Sequence, residues 1–468
     1  MKIVLAGYNI EAEIAGRLRE ELGESVTPEV ISAAYARISR DPRGVGTLRK
    51  ESRDKVELAR KSNRTIVFGL GHSSVAEHAV FNFDVMHVSR LAVEEIESFR
   101  LASFTEKSQR YIKLGKDIVV PEEIEEAGLA RQFRKLTEGL HEEYEKLRRQ
   151  MIDAGENKEA AKEDARYIMP LATSAQLGMT INARELEYMI SRLASHPLSE
   201  LREVASRLYR RVKGIAPSLV RYPQPTEYFQ IKPSVREEIR KKAPGAAKAT
   251  SGDTESVRLI EATTGGDSRI AAALIFSAGS GSYSKAAAAA AALNEEERGE
   301  LLSKTMRSMK LHDGVWREFE SVHLLFELIV SASCFAQLKR HRMATIIPQS
   351  YIPSLGISVP DSIRRAGEVG RFRGAASEAE KFCRKHRKKL GPASAYALTN
   401  AHRRRVLIDL NMREMYHFSR LRSDIHAQWE IRRLSDRMCR LVSKRMPSAS
   451  VMLCGKHLFE EKKGSEGI

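Results

Sequence analysis

Apolar and polar positions along the chain follow two rhythms, and their order of appearance occurs twice. A short apolar run, "KIVLAG" at residues 2–7, predicts a strand, and "SVRLIEA" at 256–262 predicts another. Charged text of helical character follows in both places, "SRDKVELARKS" and "NEEERGELLSKTM". Next comes a Glu entering an apolar run, in "GHSSVAEHAVFNFDV" and in "DGVWREFESVHLLFEL". Each half later carries an Asn-x-Arg-Glu tetrad, Asn182-Ala183-Arg184-Glu185 and Asn411-Met412-Arg413-Glu414, and then a His–Glu–Arg helix, "HPLSELREV" and "HAQWEIRRL". Shared words in one order, spaced by roughly 230 to 240 residues, predict an internal duplication; the period is far too long for a solenoid and means two homologous domains. Residues 243–256, "APGAAKATSGDTES", are small, polar and unpatterned, and read as a linker. The predicted organisation is a first domain over 1–242, a second over 257–460, and a polar tail over 461–468.

Two segments predict helices that carry polar groups. "LLFELIVSASCFAQLK" has the length and composition of a buried helix. Gln337, Arg340 and His341 stand at i, i+3 and i+4, on one face near its C-terminal end. Pro348 and Pro353 forbid its continuation. The second segment, "SRLRSDIHAQWEIRRLSDRM", places Arg422 and His426 at i, i+4, beside an apolar stripe of Leu421, Ile425 and Trp429. The run Ala286 to Ala292 also predicts a helix, with Asn294 and Glu297 able to cap the one after it.

Composition narrows the class. The chain has 468 residues, 42% of them hydrophobic, enough for two domains with cores of their own. No run approaches the ~20 apolar residues that span a bilayer, and the opening residues lack the long apolar region of a secretory signal. The four cysteines form no CxxC pair, which argues against a zinc site or a disulfide framework and fits a reducing cytoplasm. A net charge of +17 suggests anionic partners, either nucleic acid or phosphorylated small molecules. With 6% aromatic residues and no helix-turn-helix, zinc-finger or RNP-like pattern, a nucleic-acid-binding role is the weaker reading. No βαβ run with a Gly-rich phosphate loop occurs, so a doubly wound sheet is not expected.

The candidate chemistry has bland and specific readings. Arg340-His341-Arg342 suits the negative end of a helix dipole, or forms a fork of phosphate donors. Arg422 and His426 are core-flanking residues, or a guanidinium beside a flat polar ligand. Glu106, Ser108 and Arg110 alternate along "EKSQRY", as a solvated strand edge or a nucleotide clamp. Ser74 and Glu77 have capping-box spacing, and His72 and His78 beside them have no partner at metal-ligand spacing, so no metal site is expected.

Together these residues resemble the flavin-dependent thymidylate synthases. Arg340-His341-Arg342, seven residues and Ser350 match that family's RHR-x7-S signature. "LRSDIHAQWEIRR" resembles its C-terminal helix, "GHSSVAEHAVFNF" its HxSxxEHxxFxF segment, and "NAREL" its Asn-Ala-Arg-Glu-Leu. The resemblance covers essentially the whole chain, as two tandem copies. It implies an α+β fold, each copy a central antiparallel sheet flanked by helices. It also implies methylation of dUMP to dTMP, with methylenetetrahydrofolate as carbon donor, FAD as cofactor and NADPH as reductant. The family is a homotetramer with sites between subunits, so a homodimer of two-domain chains is expected here.

Carried over residue by residue, the second copy keeps Gln337 and Arg340 (nucleotide) and Arg340, His341, Arg342, Asn411, Arg413 and His426 (flavin), with Arg422 as the base-activating group. It has lost the flanks of its Ser350, with Pro348 and Ile352 there, and has Ala395 for a nucleotide-binding Arg and Val315 near the place of a His, although Glu320 survives. The first copy departs in the opposite places. Its triplet is Ser98-Phe99-Arg100, Glu95 stands where Gln is expected, and Leu193 or Ala194 replaces the activating Arg. It keeps the nucleotide residues Glu106, Ser108, Arg110 and Arg166, with His72, Glu77 and the flavin-binding Ser74; Glu106 also counts toward the flavin. Complementary losses predict one composite site, in which the second copy supplies flavin-holding and base-activating groups and the first supplies the clamp. Two other readings are a flavin- or nucleotide-binding paralogue with altered substrate, and the basic nucleic-acid-binding protein.

Overall fold

The structure is a computed structural model and describes residues 12–23, 26–38, 43, 45–69, 73–107, 115–244 and 256–465. The predicted strand at 2–7 and the site candidates His72, Ser108 and Arg110 lie outside the described residues, as does most of the predicted linker.

The first copy builds strand β1 (Val80–Ser89), helix α1 (Arg90–Ile96), strand β2 (Ala102–Glu106), the long helix α2 (Ala130–Asp153), strand β3 (Ser174–Asn182), and helices α3 (Ala183–Ala194) and α4 (Ser199–Val212). The second copy opens on strand β4 (Val257–Ala262) and repeats the order: β5 (His323–Ser331), α5 (Ala332–Leu338), β6 (Thr345–Pro348), α6 (Val369–Leu390), β7 (Arg403–Asn411), α7 (Met412–Arg422) and α8 (Trp429–Ser443). The two sheets are antiparallel throughout, ordered β1-β3-β2 and β4-β5-β7-β6. The central strands β3 and β7 pair with both neighbours and alternate cleanly: Leu177, Met179 and Ile181 point inward, as do Val406, Ile408 and Leu410. This is the expected α+β architecture, two antiparallel sheets flanked by helices.

The duplication extends to single polar contacts. Ser89 and Ser331 end their strands and cap the following helices, accepting from the amides of Ala92 and Cys334. Each serine is held by a carboxylate from the first turns of α4 or α8. Glu200 accepts from Ser89 N at 2.6 Å and Oγ at 2.7 Å, and Glu430 from Ser331 N at 3.2 Å and Oγ at 2.5 Å. Asn182 and Asn411 cap α3 and α7 in the same way. Arg184 pairs with Glu77 at 2.5 Å, and Arg413 with Glu320 at 2.8 Å. The first copy has one extra residue in β1, absorbed by a bulge at His87, which takes a positive φ of 57°.

Two expectations are corrected. "LLFELIVSASCFAQLK" is not one helix: it runs through β5 and turns at Ser331 into the short α5. In β5, Leu324, Phe326, Leu328 and Val330 are buried on one face, and Ile329 on the other is buried too, so the strand shows no period-two alternation at its end. The segment "SRLRSDIHAQWEIRRLSDRM" is broken as well: α7 stops at Arg422, α8 starts at Trp429, and Ile425 between them is 53% exposed rather than part of an apolar stripe. His426 therefore shares no helix face with Arg422. The compact units are composed differently from the sequence copies. One unit takes the described residues to 244 together with Arg365–Leu398; the other takes residues 256–364 and 399–465.

Helix α6 of the second copy thus belongs to the first unit. Helix α2 buries Phe133, Thr137, Leu140, Tyr144, Leu147 and Met151 at alternating spacings of four and three, and α6 buries Phe372, Ala376, Ala379 and Cys383 likewise. Such stripes are made to pack on another helix. Phe133 meets Phe382 with ring centroids 5.7 Å apart, and Arg371 pairs with Glu143. The turn after α6 continues the contact: Leu171 N donates to Leu398 O, Ala172 N to Tyr396 O, and the buried Tyr396 hydroxyl donates to Glu200 Oε2 at 2.7 Å.

Candidate functional site

The polar constellation of the second unit grows from the junctions between its strands and helices. Helix α5 ends at Leu338, and the chain turns through Lys339-Arg340-His341-Arg342 before entering β6. The turn sends neighbouring side chains opposite ways: Arg340 is exposed, Arg342 half-buried, and His341 only 2% exposed. His341 packs against Phe418 of α7 at 4.5 Å between ring centroids, with the exposed His417 edge-on at 5.7 Å. Both ring nitrogens are engaged. Nδ1 lies 2.9 Å from Glu414 Oε1, and Nε2 accepts from Arg422 Nε at 2.9 Å. The same guanidinium donates from Nη1 to Gln337 Oε1 at 3.0 Å and from Nη2 to Gln337 O at 3.1 Å.

Burial, with Arg422 and His417 close by, holds the His341 imidazole well below its ordinary pKa, so the ring is neutral. Burial also pushes the Glu414 carboxyl up. The structure therefore brings together Gln337, His341 and Arg422 from the predicted set. It adds Glu414, to which sequence reasoning gave no role. The signal was present: Glu414, Phe418 and Arg422 stand at i, i+4 and i+8 on one face of α7.

The remaining predicted residues of this unit lie along α7, beside its ends and in the turn after α5. Asn411 spends its side chain on the Glu414 amide as helix cap. Arg413 is exposed, with Nε donating to Val315 O and Nη1 to Glu320. His426 is exposed in the turn between α7 and α8, where its amide donates to Asp424. The three guanidiniums of Arg340, Arg342 and Arg413 and the imidazole of His426 are donors of the chemical type that suits the pyrophosphate and ring edges of a flavin dinucleotide. Among the described residues, His341, Glu414 and His417 are the one group of three whose ligand atoms lie within 4.8 Å of one another. A cation there would displace a hydrogen bond at His341 and face the Arg422 guanidinium, so no metal is assigned.

The first unit holds the other predicted residues. Glu106 ends β2 opposite Leu177. Arg166 is buried in a single turn of 3₁₀ helix, its Nε donating to Glu163 O. Ser74 is exposed in the 3₁₀ helix Ser73–His78. At the place of His341 stands Phe99, 2% exposed, edge-on to Tyr188 with Arg192 over its ring at 5.3 Å. Counting from the capping asparagines, Arg422 is the eleventh residue after Asn411 and Leu193 the eleventh after Asn182. The structure thereby selects Leu193, itself 2% exposed, over Ala194 as the counterpart of the arginine. No helix among the described residues is long and apolar enough to cross a membrane.

Comparison with known proteins agrees with this doubled architecture. The model of the family described as thymidylate synthase complementing protein matches the chain twice, over residues 21–218 and 258–448. The chain belongs to that family and carries its domain in two copies. It is 32% identical over 211 residues to a flavin-dependent thymidylate synthase of Clostridium tetani, which covers 42% of this chain and 83% of the relative. The similarity to the enzyme of that name from Geobacter sulfurreducens is 32% over 201 residues, covering 42% and 81%. A UPF0159 protein of Thermoplasma acidophilum is 25% identical over 472 aligned residues, 89% of this chain and 93% of its own, so it matches both copies at once.

Proposed function

We propose that this protein is a flavin-dependent thymidylate synthase that methylates dUMP to dTMP, with methylenetetrahydrofolate as carbon donor and NADPH as reductant. The observation that carries the reading is the intact Gln337–Arg422–His341 constellation of the second unit, against Glu95, Leu193 and Phe99 at the same places in the first. Arg422 sits beside the uracil and favours ionisation of the base, which raises the nucleophilicity of its reacting carbon. Gln337 and Arg340 orient the nucleotide, so that the reaction proceeds by positioning and electrostatics without a protein nucleophile. Arg340, Arg342, Arg413 and His426 hold FAD, which supplies the hydride when bound.

In this reading Glu106, Ser108, Arg110 and Arg166 of the first copy form the clamp on the deoxyuridylate. One copy of each half-site is kept and the mirror-image site is not functional. Two chains associate as a homodimer that imitates a four-domain assembly, and the protein works in the cytoplasm. Fresh protein is expected to carry one FAD per chain, measured as the flavin-to-protein absorbance ratio. Two per chain would defeat the composite arrangement. Tritium release from ring-labelled dUMP, dependent on both folate and NADPH, tests the reaction. Flavin or dUMP binding without tritium release would select a paralogue with another substrate, the reading that Glu95, Pro348 and Ile352 favour, with Ile352 standing where a phosphate-facing arginine is expected.

A further inference from the structure

The His341 side chain is part of the Arg-His-Arg triplet, yet it is the buried member, and its two ring nitrogens face inward partners. We propose that His341 and Glu414 are positioning residues for Arg422: Glu414 fixes the Nδ1-protonated tautomer of His341, whose Nε2 lone pair holds the Arg422 guanidinium in its working orientation. The proposal rests on the reading of Arg422 as the base-activating group.

The geometry leaves one arrangement of protons. A guanidinium Nε–H can only donate, so His341 Nε2 must present its lone pair to Arg422. A neutral imidazole then carries its proton on Nδ1, and that proton points at Glu414 Oε1, 2.9 Å away. Gln337 completes the hold by accepting from both terminal nitrogens of the guanidinium, through Oε1 and its main-chain oxygen. An arginine side chain has several rotatable bonds, and three hydrogen bonds from three different nitrogens freeze its plane before any ligand arrives. The first unit provides an internal comparison. There the arginine, the histidine and the glutamine are absent together, as Leu193, Phe99 and Glu95, while Glu185, the counterpart of Glu414, accepts instead from the Leu101 amide. Loss of the arginine removes the need for an acceptor beneath it, and an apolar ring fills the space.

The relay is sensitive to acid. His341 faces Glu414, His417 and Arg422 of α7 and Gln337 of α5, and is flanked in the chain by Arg340 and Arg342. A proton added to His341 must go on Nε2, where it meets the Arg422 donor and breaks the hold. Burial and the neighbouring cation oppose that protonation, so the relay stands at neutral pH and fails only well below the ordinary histidine range.

The test uses the full chain loaded with FAD. His341→Phe, the residue of the first copy, is expected to lower kcat for tritium release about 10²-fold, with the KM for dUMP and the flavin content changed much less. His341→Gln, which can accept from Arg422 and donate to Glu414, should recover a large part of that loss, and Glu414→Gln, which removes the carboxylate that favours the imidazolium, should move the acid limb of the kcat profile to lower pH. Nitrogen NMR of labelled histidine and arginine reads the relay without turnover. The wild type should show a Nδ1-protonated His341 and a slowly exchanging Arg422 Nε–H, the latter lost in His341→Phe. An Nε2-protonated His341, or an Arg422 signal indifferent to the Phe substitution, overturns the relay whatever the activity. A wild type with the expected spectra but no tritium release overturns the reaction and leaves the relay standing.

Discussion

Arg422→Ala is expected to lower kcat for dUMP methylation by about 10³-fold or more while most of the flavin stays bound. The half-buried guanidinium is held by three hydrogen bonds, with Nε on His341 and both terminal nitrogens on Gln337. In the proposed function the flavin is held by the exposed Arg340, Arg413 and His426 and the half-buried Arg342, all of which the substitution leaves in place. A group that acts where charge develops on the base contributes more to the transition state than to substrate binding, so the loss should fall on kcat rather than on KM. Leu193→Ala is the matched control. It removes a buried side chain from the core of the first unit at the corresponding helix position, at a stability cost of about 2–4 kcal/mol, and should leave kcat per folded molecule unchanged. Chemical denaturation and single-turnover tritium release separate the two effects. Equal losses of kcat in both variants would refute the assignment of Arg422.

Glu200→Ala is expected to destabilise the first unit by about 3–5 kcal/mol. The carboxylate is buried and accepts from Ser89 N, Ser89 Oγ and the Tyr396 hydroxyl, so its removal leaves three donors without an acceptor, all of them on residues with no exposed surface. Tyr396→Phe takes away one of the three donors and should cost about 1 kcal/mol. The pH dependence has a defined sign. Burial raises the Glu200 pKa in the folded state despite the hydrogen bonds, so the folded protein keeps its proton to higher pH than the unfolded chain. Stability from this group is present below the unfolded carboxyl value and is lost as pH rises through the folded value. Relative to Glu200→Gln, which does not titrate, the wild type should therefore lose stability between mildly acidic and neutral pH. Urea titrations of both proteins across that range measure the difference, and a wild type that gains on the variant with rising pH would contradict the assignment.

Much of the candidate site was legible because its residues sit at local punctuation. Asn182 and Asn411 are helix caps, and the tetrads that repeat in the sequence repeat in space as caps and as the Arg184–Glu77 and Arg413–Glu320 pairs. The Arg-His-Arg turn was legible as a unit, but its division into exposed arginines and a buried histidine was not. That division depends on Phe418, Glu414 and Arg422, which lie on a helix more than seventy residues away. The break after Arg422 was hidden for a similar reason. Asp424 accepts from the amides of His426 and His457, and a side chain at Gly455 would collide with the Ser423 carbonyl, since its Cβ would lie 2.4 Å from that oxygen. Local helix propensity cannot report a glycine thirty residues downstream.

By itself the sequence determined the duplication, the α+β class and the family, because these are carried by residue identity and spacing. Tertiary structure decided three things. It made β5 a strand, where burial of both faces had removed the alternation that distinguishes strand from helix. It packed α6 with the first unit, since an apolar stripe at spacings of four and three specifies a helical partner but not which copy provides it. It turned His341 inward between Glu414 and Arg422, a choice set by long-range hydrogen bonds whose strength exists only once water has been excluded from around them.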